Sequence, residues 1–266
     1  MASSPQSDPQ RSDPQQSSSP QSGSLQLLTI DCGNSTIRCR RADSAIWSTD
    51  STTPDFTGFA AFVGSQPIRA LAVSVVPAAL AAVRLALPDV DVAVADVDLK
   101  CPLQLAYATP ATLGADRWLG AFAAHRRFGA AITIDCGTAT TVNVVDRAGV
   151  FHGGAIAPGL AAFAAGLAEK ARALPAPNLD ALPVMPAQST QECVDAGVLL
   201  GWAGLVERLI REARKHCPSA MLVVTGGNAE RLRRLGVAGL DGDAVAFVPE
   251  LLHDGLAQLA VLDRGN

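Results

Sequence analysis

Two short apolar runs, each ending in an Asp and a Gly, mark corresponding points of the chain. Residues 27–34 and 131–138 share the pentapeptide Thr-Ile-Asp-Cys-Gly, 104 positions apart. Each run has the length and β-branched content of a buried strand, and a hydroxyl- or amide-rich loop and a second strand-like run follow it. The repetition predicts a duplicated architecture whose two halves present strand-end loops to one shared cleft.

The remaining apolar pattern alternates between strands and helices. Strand-like runs cover residues 70–76, 90–97 and 221–225, and helical patterns cover 78–87, 112–128 and the region of Val198 to Leu209. We expect Thr112 to cap the helix that ends before Gly129. Residues 142–150 read as a hairpin, and the Gly-rich residues 153–159 as a loop that leads into a helix from Leu160. This alternation is typical of an α/β fold.

Composition separates the first 24 residues from the rest. They contain nine Ser, five Gln and four Pro, with no Val, Ile, Leu or aromatic residue. Such a segment buries too little apolar surface to offset its ordering entropy, so we expect a disordered tail over 1–24. The repeat then divides the ordered chain into halves at 25–128 and 129–266.

Charge and cysteine content narrow the class of protein. The net charge of −4 argues against a surface that binds nucleic acid, and no uncharged stretch reads as a membrane span. The six cysteines form no CxxC pair, and no apolar signal segment opens the chain. We therefore expect a cytoplasmic protein with reduced, structural thiols and no membrane or nucleic-acid partner.

The first strand-end loop carries a set of residues suited to phosphate chemistry. Asp31 offers a carboxylate of the kind that holds hydrated magnesium, and Gly33 lets backbone N–H groups approach anionic oxygens. Arg38 adds a cation on the same side of the next strand as Thr36. The alternative is a simple tight turn, in which Asp, Gly and Asn are common. The second copy, with its threonines at 138, 140 and 141, favours the phosphate site.

Asp116 and Arg117 form a second candidate, at the predicted start of a helix. An acid is favoured there by the helix dipole, so Asp116 alone could be a surface cap. The adjacent Arg117 has no such explanation. The pair is suited to receiving a hydroxyl proton and holding a carboxylate, with Tyr107 and Pro110 lining the pocket.

In their order and residues these segments resemble the type III pantothenate kinase family. The matching segments are Asp31-Cys32-Gly33-Asn34-Ser35, Tyr107 with Pro110, Leu113-Gly114-Ala115-Asp116-Arg117-Trp118, Asp135-Cys136-Gly137-Thr138-Ala139-Thr140, Gly153-Gly154 through Pro158-Gly159, and Thr225-Gly226-Gly227. The resemblance implies an acetate-kinase/Hsp70/actin-like fold, with two ribonuclease-H-like halves around a nucleotide cleft. It also implies a homodimer that phosphorylates pantothenate with ATP, the first step of coenzyme A biosynthesis.

The resemblance assigns roles to individual positions. Asp116 would be the catalytic residue, facing the reacting hydroxyl. Asp31 would lie near Mg²⁺, and Asp135 would help hold a monovalent cation, K⁺ or NH₄⁺. The nucleotide would be bound by Asp31, Cys32, Gly33, Asn34, Ser35, Thr36, Ile37, Arg38 and Thr138. Pantothenate would be bound by Tyr107, Gly114, Ala115, Asp116, Arg117 and Thr190.

The sequence departs from the family pattern at three positions and leaves two other functions open. Ser35 replaces a usual Thr, Arg38 a frequent Lys, and Asn143 a frequent Asp, which removes a carboxylate expected near the phosphates. An accessory or regulatory protein of the same fold without turnover is one alternative. A phosphohydrolase that uses water as the acceptor is the other. The Asp116–Arg117 pair with Tyr107 favours an organic carboxylate as acceptor, and therefore the kinase.

Overall fold

The computed structural model describes residues 25–263, so the disordered tail predicted for 1–24 lies outside the described residues. The strands are β1 Gln26–Cys32, β2 Thr36–Arg41, β3 Ile46–Asp50, β4 Ile68–Ser74, β5 Val92–Val94, β6 Gln104–Leu105, β7 Ala131–Cys136, β8 Ala139–Val145, β9 Val150–Pro158, β10 Met221–Thr225 and β11 Val245–Phe247. The helices are α1 Phe59–Val63, α2 Pro77–Ala86, α3 Ala115–Phe128, α4 Leu160–Lys170, α5 Thr190–His216, α6 Ala229–Arg234 and α7 Leu251–Asp263.

The strands form a five-stranded and a six-stranded sheet, which share the order of five strands; β6 is added at the edge of the second. The first runs β3-β2-β1-β4-β5, and the second runs β11-β10-β7-β8-β9-β6. In each, a three-stranded antiparallel meander is extended by two parallel strands next to its first strand. The duplication predicted from the Thr-Ile-Asp-Cys-Gly repeat is therefore confirmed, because β1 and β7 are the corresponding central strands of the two sheets.

Helices α3 and α7 occupy the space between the sheets. They pack against each other, and each also contacts the sheet that lies in the other half of the sequence: α3 contacts β7 and β8, while α7 contacts β1 and β4. Their buried side chains, such as Trp118, Phe122 and Leu256, share one core with Val73 of the first sheet and Val223 of the second. The domain boundary at 128/129 stays a prediction.

Two local predictions are wrong. Helix α3 begins at Ala115 after a short 3₁₀ turn over Pro110–Thr112, so Thr112 is not its cap, and its hydroxyl donates to the Thr109 carbonyl instead. Residues 153–158 continue strand β9 rather than form a loop. Gly154 is needed in that strand because a Cβ there would lie 1.8 Å from the Val142 carbonyl oxygen of β8.

Among residues 25–263, no helix is both long enough and apolar enough to cross a bilayer. The six cysteines all lie in this part of the chain and are free thiols, three of them buried.

Candidate active site

The ends of β1 and β7 line one cleft of about 620 Å³ between the two sheets. Asp31 and Asp135 occupy corresponding positions there, and Asp116 from the first turn of α3 lines the same space. The two halves of the repeat thus share one cleft, as their sequence predicts. The predicted site residues that line this cleft are Asp31, Gly33, Asn34, Ser35, Thr36, Arg38, Asp116, Asp135 and Thr138.

The two strand-end loops are in direct contact. The hydroxyl oxygens of Ser35 and Thr138 lie 2.7 Å apart, although 103 positions separate them in the sequence. Cys32 and Ile37, in contrast, are fully buried in the core behind the first sheet. These two residues therefore offer a nucleotide only their backbone groups, while Asn34, Ser35 and Thr36 present side chains to the cleft.

The carboxylates of the cleft carry raised pKa values. Burial, followed by the neighbouring carboxylates of Asp135 and Asp116, raises the pKa of Asp31 to about 7, against an opposing effect of Arg38. Burial, followed by the charge of Asp116, raises the pKa of Asp135 to about 6. Buried like charges cannot all ionise without a compensating cation. The cleft is therefore a place where a bound cation would stabilise the charged forms.

Glycines leave room for these carboxylates. Gly226, in the loop after β10, has φ +86°, and a Cβ there would lie 2.3 Å from Asp135 Oδ1. Gly114 precedes α3, and a Cβ on it would lie 2.6 Å from Asp116 Oδ1. The backbone thus approaches both acids more closely than any residue with a side chain allows.

Asp116 and Arg117 face different surroundings although they are adjacent in the sequence. Asp116 Oδ1 accepts a hydrogen bond from the Arg117 backbone N–H at 2.9 Å. Burial raises the pKa of Asp116, opposed by that backbone bond and by the Arg117 charge. A carboxylate with a raised pKa is a better proton acceptor for an alcohol than an ordinary exposed one.

Arg117 is a buried cation whose partners are neutral. It is 7% exposed, its Nε donates to Asn143 Oδ1 at 2.8 Å, and its Nη1 donates to the Tyr107 hydroxyl at 3.3 Å. Among the described residues it forms no salt bridge. A buried guanidinium is stabilised by a negative partner, so Arg117 is a candidate site for an anion.

Asn143 lies in this pocket and not among the loops that hold Ser35 and Thr138. Its side chain is 2% exposed and is held between Arg117 and the hydroxyl groups of Thr133 and Thr141, each 3.4 Å from Nδ2. The replacement of Asp by Asn therefore changes the charge beside Arg117.

Among the predicted pantothenate residues, Asp116 lines this cleft and Arg117 lines a small pocket beside it, whereas Tyr107, Gly114, Ala115 and Thr190 line neither. Tyr107 stands behind Arg117, with its ring centroid 5.8 Å from the guanidinium carbon, and Gly153 permits this packing. Ala115 is buried at the start of α3. Thr190 is exposed at the start of α5, where Ser189 and Glu192 form a capping box, and it does not line the cleft of its own chain.

Sequence reasoning missed residues that reach the cleft from the C-terminal part of the chain. Glu250 and His253, at the start of α7, line it, and Glu250 accepts a hydrogen bond from Arg38. Asn228 also lines it and donates to the Cys136 carbonyl. The Thr225-Gly226-Gly227 motif marked this side of the cleft, but no local pattern singles out Glu250 or His253.

The donor set fits magnesium held partly by water. Asp31 and Asp135 provide carboxylate oxygens at the mouths of the two loops. Within residues 25–263, no group of three or more His, Cys, Asp or Glu side chains is arranged to hold a metal ion by itself. Magnesium commonly binds through one or two carboxylates, several waters and the phosphates of a nucleotide, which is what this arrangement allows.

Similarity to solved structures identifies the fold. A conserved protein from Campylobacter jejuni, described as belonging to the Baf family of transcriptional activators, matches with a TM-score of 0.57 and 19% identity, over 90% of this chain and 100% of the other. Ta0583, an archaeal actin homologue, matches with a TM-score of 0.50 and 12% identity, over 90% and 100% of the two chains. The protein has the actin-like ATPase fold of two related sheets around a cleft.

Sequence similarity is more specific. A family model for type III pantothenate kinase matches residues 27–212. The type III pantothenate kinase of Syntrophotalea carbinolica is 34% identical over 63% of this chain, and the match covers 64% of its own length, slightly under two thirds. The type III pantothenate kinase of Desulfovibrio desulfuricans is 33% identical over 90% of this chain and 98% of its own. The chain belongs to the type III pantothenate kinase family.

Proposed function

We propose that this protein transfers the γ-phosphoryl group of ATP to the primary hydroxyl of pantothenate, the first step of coenzyme A biosynthesis. The observation that carries the proposal is the convergence of the Asp31 and Asp135 loops on one cleft, with the Asp116–Arg117 pair at its edge. The family supports pantothenate as the acceptor, because the relatives bear that activity in their names.

In this proposal the nucleotide phosphates lie between the two loops. Hydroxyl groups of Ser35 and Thr138, now bonded to each other, turn to the phosphate oxygens, and Arg38 contributes positive charge. Phosphoryl transfer has a loose transition state, so holding the donor in line with the acceptor supplies most of the catalysis. When bound, Mg²⁺ neutralises charge on the phosphates, with Asp31 as its carboxylate. Asp135 is the proposed ligand of a monovalent cation, K⁺ or NH₄⁺.

The acceptor site is built on Arg117. Its unpaired charge binds the carboxylate of pantothenate, with Tyr107 and the backbone of Gly114 and Ala115 shaping the pocket. The pantothenate hydroxyl then faces Asp116. As the hydroxyl oxygen bonds to the γ-phosphorus, the bond from that phosphorus to the bridging oxygen of ADP breaks, and the hydroxyl proton moves to Asp116. Its raised pKa suits a proton acceptor.

A homodimer and a cytoplasmic location complete the proposal. Thr190 lies on the surface, outside the cleft of its own chain. Its predicted contact with pantothenate therefore depends on the predicted homodimer, in which a second copy brings a surface residue near the acceptor site.

The test is ADP release with and without pantothenate, measured in K⁺ and then in Na⁺. We expect release that requires pantothenate and is faster in K⁺. The control substrate is an analogue of pantothenate that keeps the reacting hydroxyl but lacks the carboxylate. It should react at least tenfold less efficiently than pantothenate, because Arg117 then has no carboxylate to bind. Release without pantothenate would favour a phosphohydrolase, and no release would favour an accessory protein; either result contradicts the kinase.

A further inference from the structure

Arg38 is held by an acid from the far end of the chain. Its Nη2 donates to Glu250 Oε1 at 2.5 Å, across 212 positions of sequence. Glu250 directly precedes α7, and both side chains line the cleft, Arg38 with 36% of its side chain exposed and Glu250 with 22%. Within residues 25–263, Nε of Arg38 is buried without a hydrogen-bond partner, and Nη1 donates to no side chain or carbonyl. Nη2 is therefore anchored by Glu250, and Nη1 is the nitrogen that remains for a ligand.

The second carboxylate oxygen of Glu250 lies beside His253. Within residues 25–263, Glu250 Oε2 and His253 Nε2 are both buried without a hydrogen-bond partner, and they lie 3.7 Å apart. Nδ1 of His253 lies 2.8 Å from the Thr29 hydroxyl oxygen. His253 is 2% exposed, and burial, followed by the charges of Arg40 and Arg38, lowers its pKa to about 3, so the ring is neutral.

A neutral ring carries one hydrogen, and its surroundings decide where. A hydrogen on Nδ1 would leave the lone pair of Nε2 facing the Glu250 carboxylate, which is repulsive. The Thr29 hydroxyl has one hydrogen and two acceptors within reach, the Arg40 carbonyl at 3.2 Å and Nδ1 at 2.8 Å. When this hydrogen goes to Nδ1, the ring hydrogen is on Nε2 and faces Glu250. This arrangement places the ring N–H of His253 3.7 Å from Oε2, while Arg38 binds Oε1. Glu250 is therefore held by a hydrogen bond at one oxygen and by packing against His253 at the other.

A neighbouring ion pair lacks the connection to the cleft. Arg40, two residues along β2, donates to Asp254 of α7 at 2.7 Å. Neither residue lines the cleft. The two pairs join the same strand to the same helix, so any effect confined to the first pair arises from the cleft and not from holding α7 against β2.

We propose that Glu250 is a positioning residue, which anchors Nη2 of Arg38 so that Nη1 faces the polyphosphate of the bound nucleotide. Arginine loses much rotational freedom when it binds an anion, and an anchored side chain has already lost it. The inference depends on the proposed function only in that the cleft binds a nucleotide.

The experiment measures the Kd of a non-hydrolysable ATP analogue with Mg²⁺ by titration calorimetry. We expect Glu250→Ala to raise the Kd about tenfold, the effect of losing roughly one hydrogen bond. Glu250→Gln keeps an acceptor oxygen for Arg38 and should stay within threefold of the parent protein. Asp254→Ala, the matched control, should stay within twofold. At saturating ATP, the kcat of Glu250→Ala should also stay within threefold, so that the change appears in KM.

A double variant separates positioning from a direct role of Glu250. In an Arg38→Ala background, Glu250→Ala should change the Kd less than twofold, because Glu250 acts through Arg38. Tighter binding by Glu250→Ala would mean that Glu250 competes with phosphate, and this would overturn the inference. A tenfold loss that persists in the Arg38→Ala background, or an equal loss in Asp254→Ala, would also overturn it. Nucleotide binding with the expected pattern but without pantothenate phosphorylation would refute the proposed function alone.

Discussion

Adjacent residues in this protein have different surroundings because the helix that carries them starts at the cleft. Asp116 and Arg117 both belong to the first turn of α3, yet one faces the carboxylates and the other a pocket lined by Asn143. The sequence predicts that this pair is functional. It does not predict the neutral partner of Arg117 or the acidic partner of Arg38, because 26 and 212 positions separate those pairs.

Replacement of Asp116 by Asn tests the proton acceptor. The amide keeps the size of the side chain but cannot accept the hydroxyl proton, so we expect kcat to fall on the order of 10²–10⁴-fold. The Kd of the ATP analogue should stay within threefold. Asp91→Asn, a change at an exposed position, should leave both unchanged. Turnover of Asp116→Asn within tenfold of the parent protein would exclude this role.

At the scale of elements, strong periodic patterns were predicted well and glycine-rich segments were not. Strand β10 has the predicted bounds, Met221–Thr225, because an uninterrupted apolar run between turns has few alternatives. Residues 153–158 look like a loop because glycine is rare in strands. They form β9 because Tyr107 packs over Gly153 and β8 lies against Gly154, contacts made by distant parts of the chain.

The capping box at the start of α5 can be tested by mutation. The Ser189 side chain accepts from the Glu192 backbone, and Glu192 in turn accepts from the Ser189 backbone. Ser189→Ala removes half of this capping box, and we expect the free energy of unfolding in urea to fall by about 1 kcal/mol. Ser219→Ala, at an exposed turn, should change it by less than about 0.5 kcal/mol. Equal effects of the two changes would contradict a stabilising cap.

For the whole molecule, the cleft concentrates negative charge between two otherwise stable sheets. The sequence places Asp31 and Asp135 at equivalent strand ends. How closely Asp116 approaches them depends on how α3 packs, which no local pattern determines. Burial, and then the repulsion among these carboxylates, raises the pKa of Asp31 to about 7.

This shift predicts a pH-dependent stability of the protein without ligand or metal. Between pH 4 and pH 7 the unfolded chain loses the Asp31 proton while the folded protein retains it, so the free energy of unfolding falls across this window. In the Asp31→Asn variant the side chain at position 31 cannot ionise, so this pH-dependent loss of stability is absent. We therefore expect its Tm to exceed that of the parent protein by more at pH 8 than at pH 5, in the presence of a chelator. The control, Asp91→Asn, should differ from the parent protein by the same amount at both pH values. If the Tm difference between Asp31→Asn and the parent protein is also the same at both, the raised pKa of Asp31 is refuted.

Helices α3 and α7 each pack against the sheet formed by the other half of the sequence, so cutting the chain after residue 128 would expose apolar surface in both halves. A fragment ending at residue 128 would retain α3 and its contact with β4 but lose β7 and β8, and its own sheet would lack α7. The fragment that begins at residue 129 would retain α7 without β1 and β4, and its sheet would lack α3. Neither piece could shield its apolar surface alone, so splitting the gene there should yield insoluble products unless both are made together, when they could recombine as one particle.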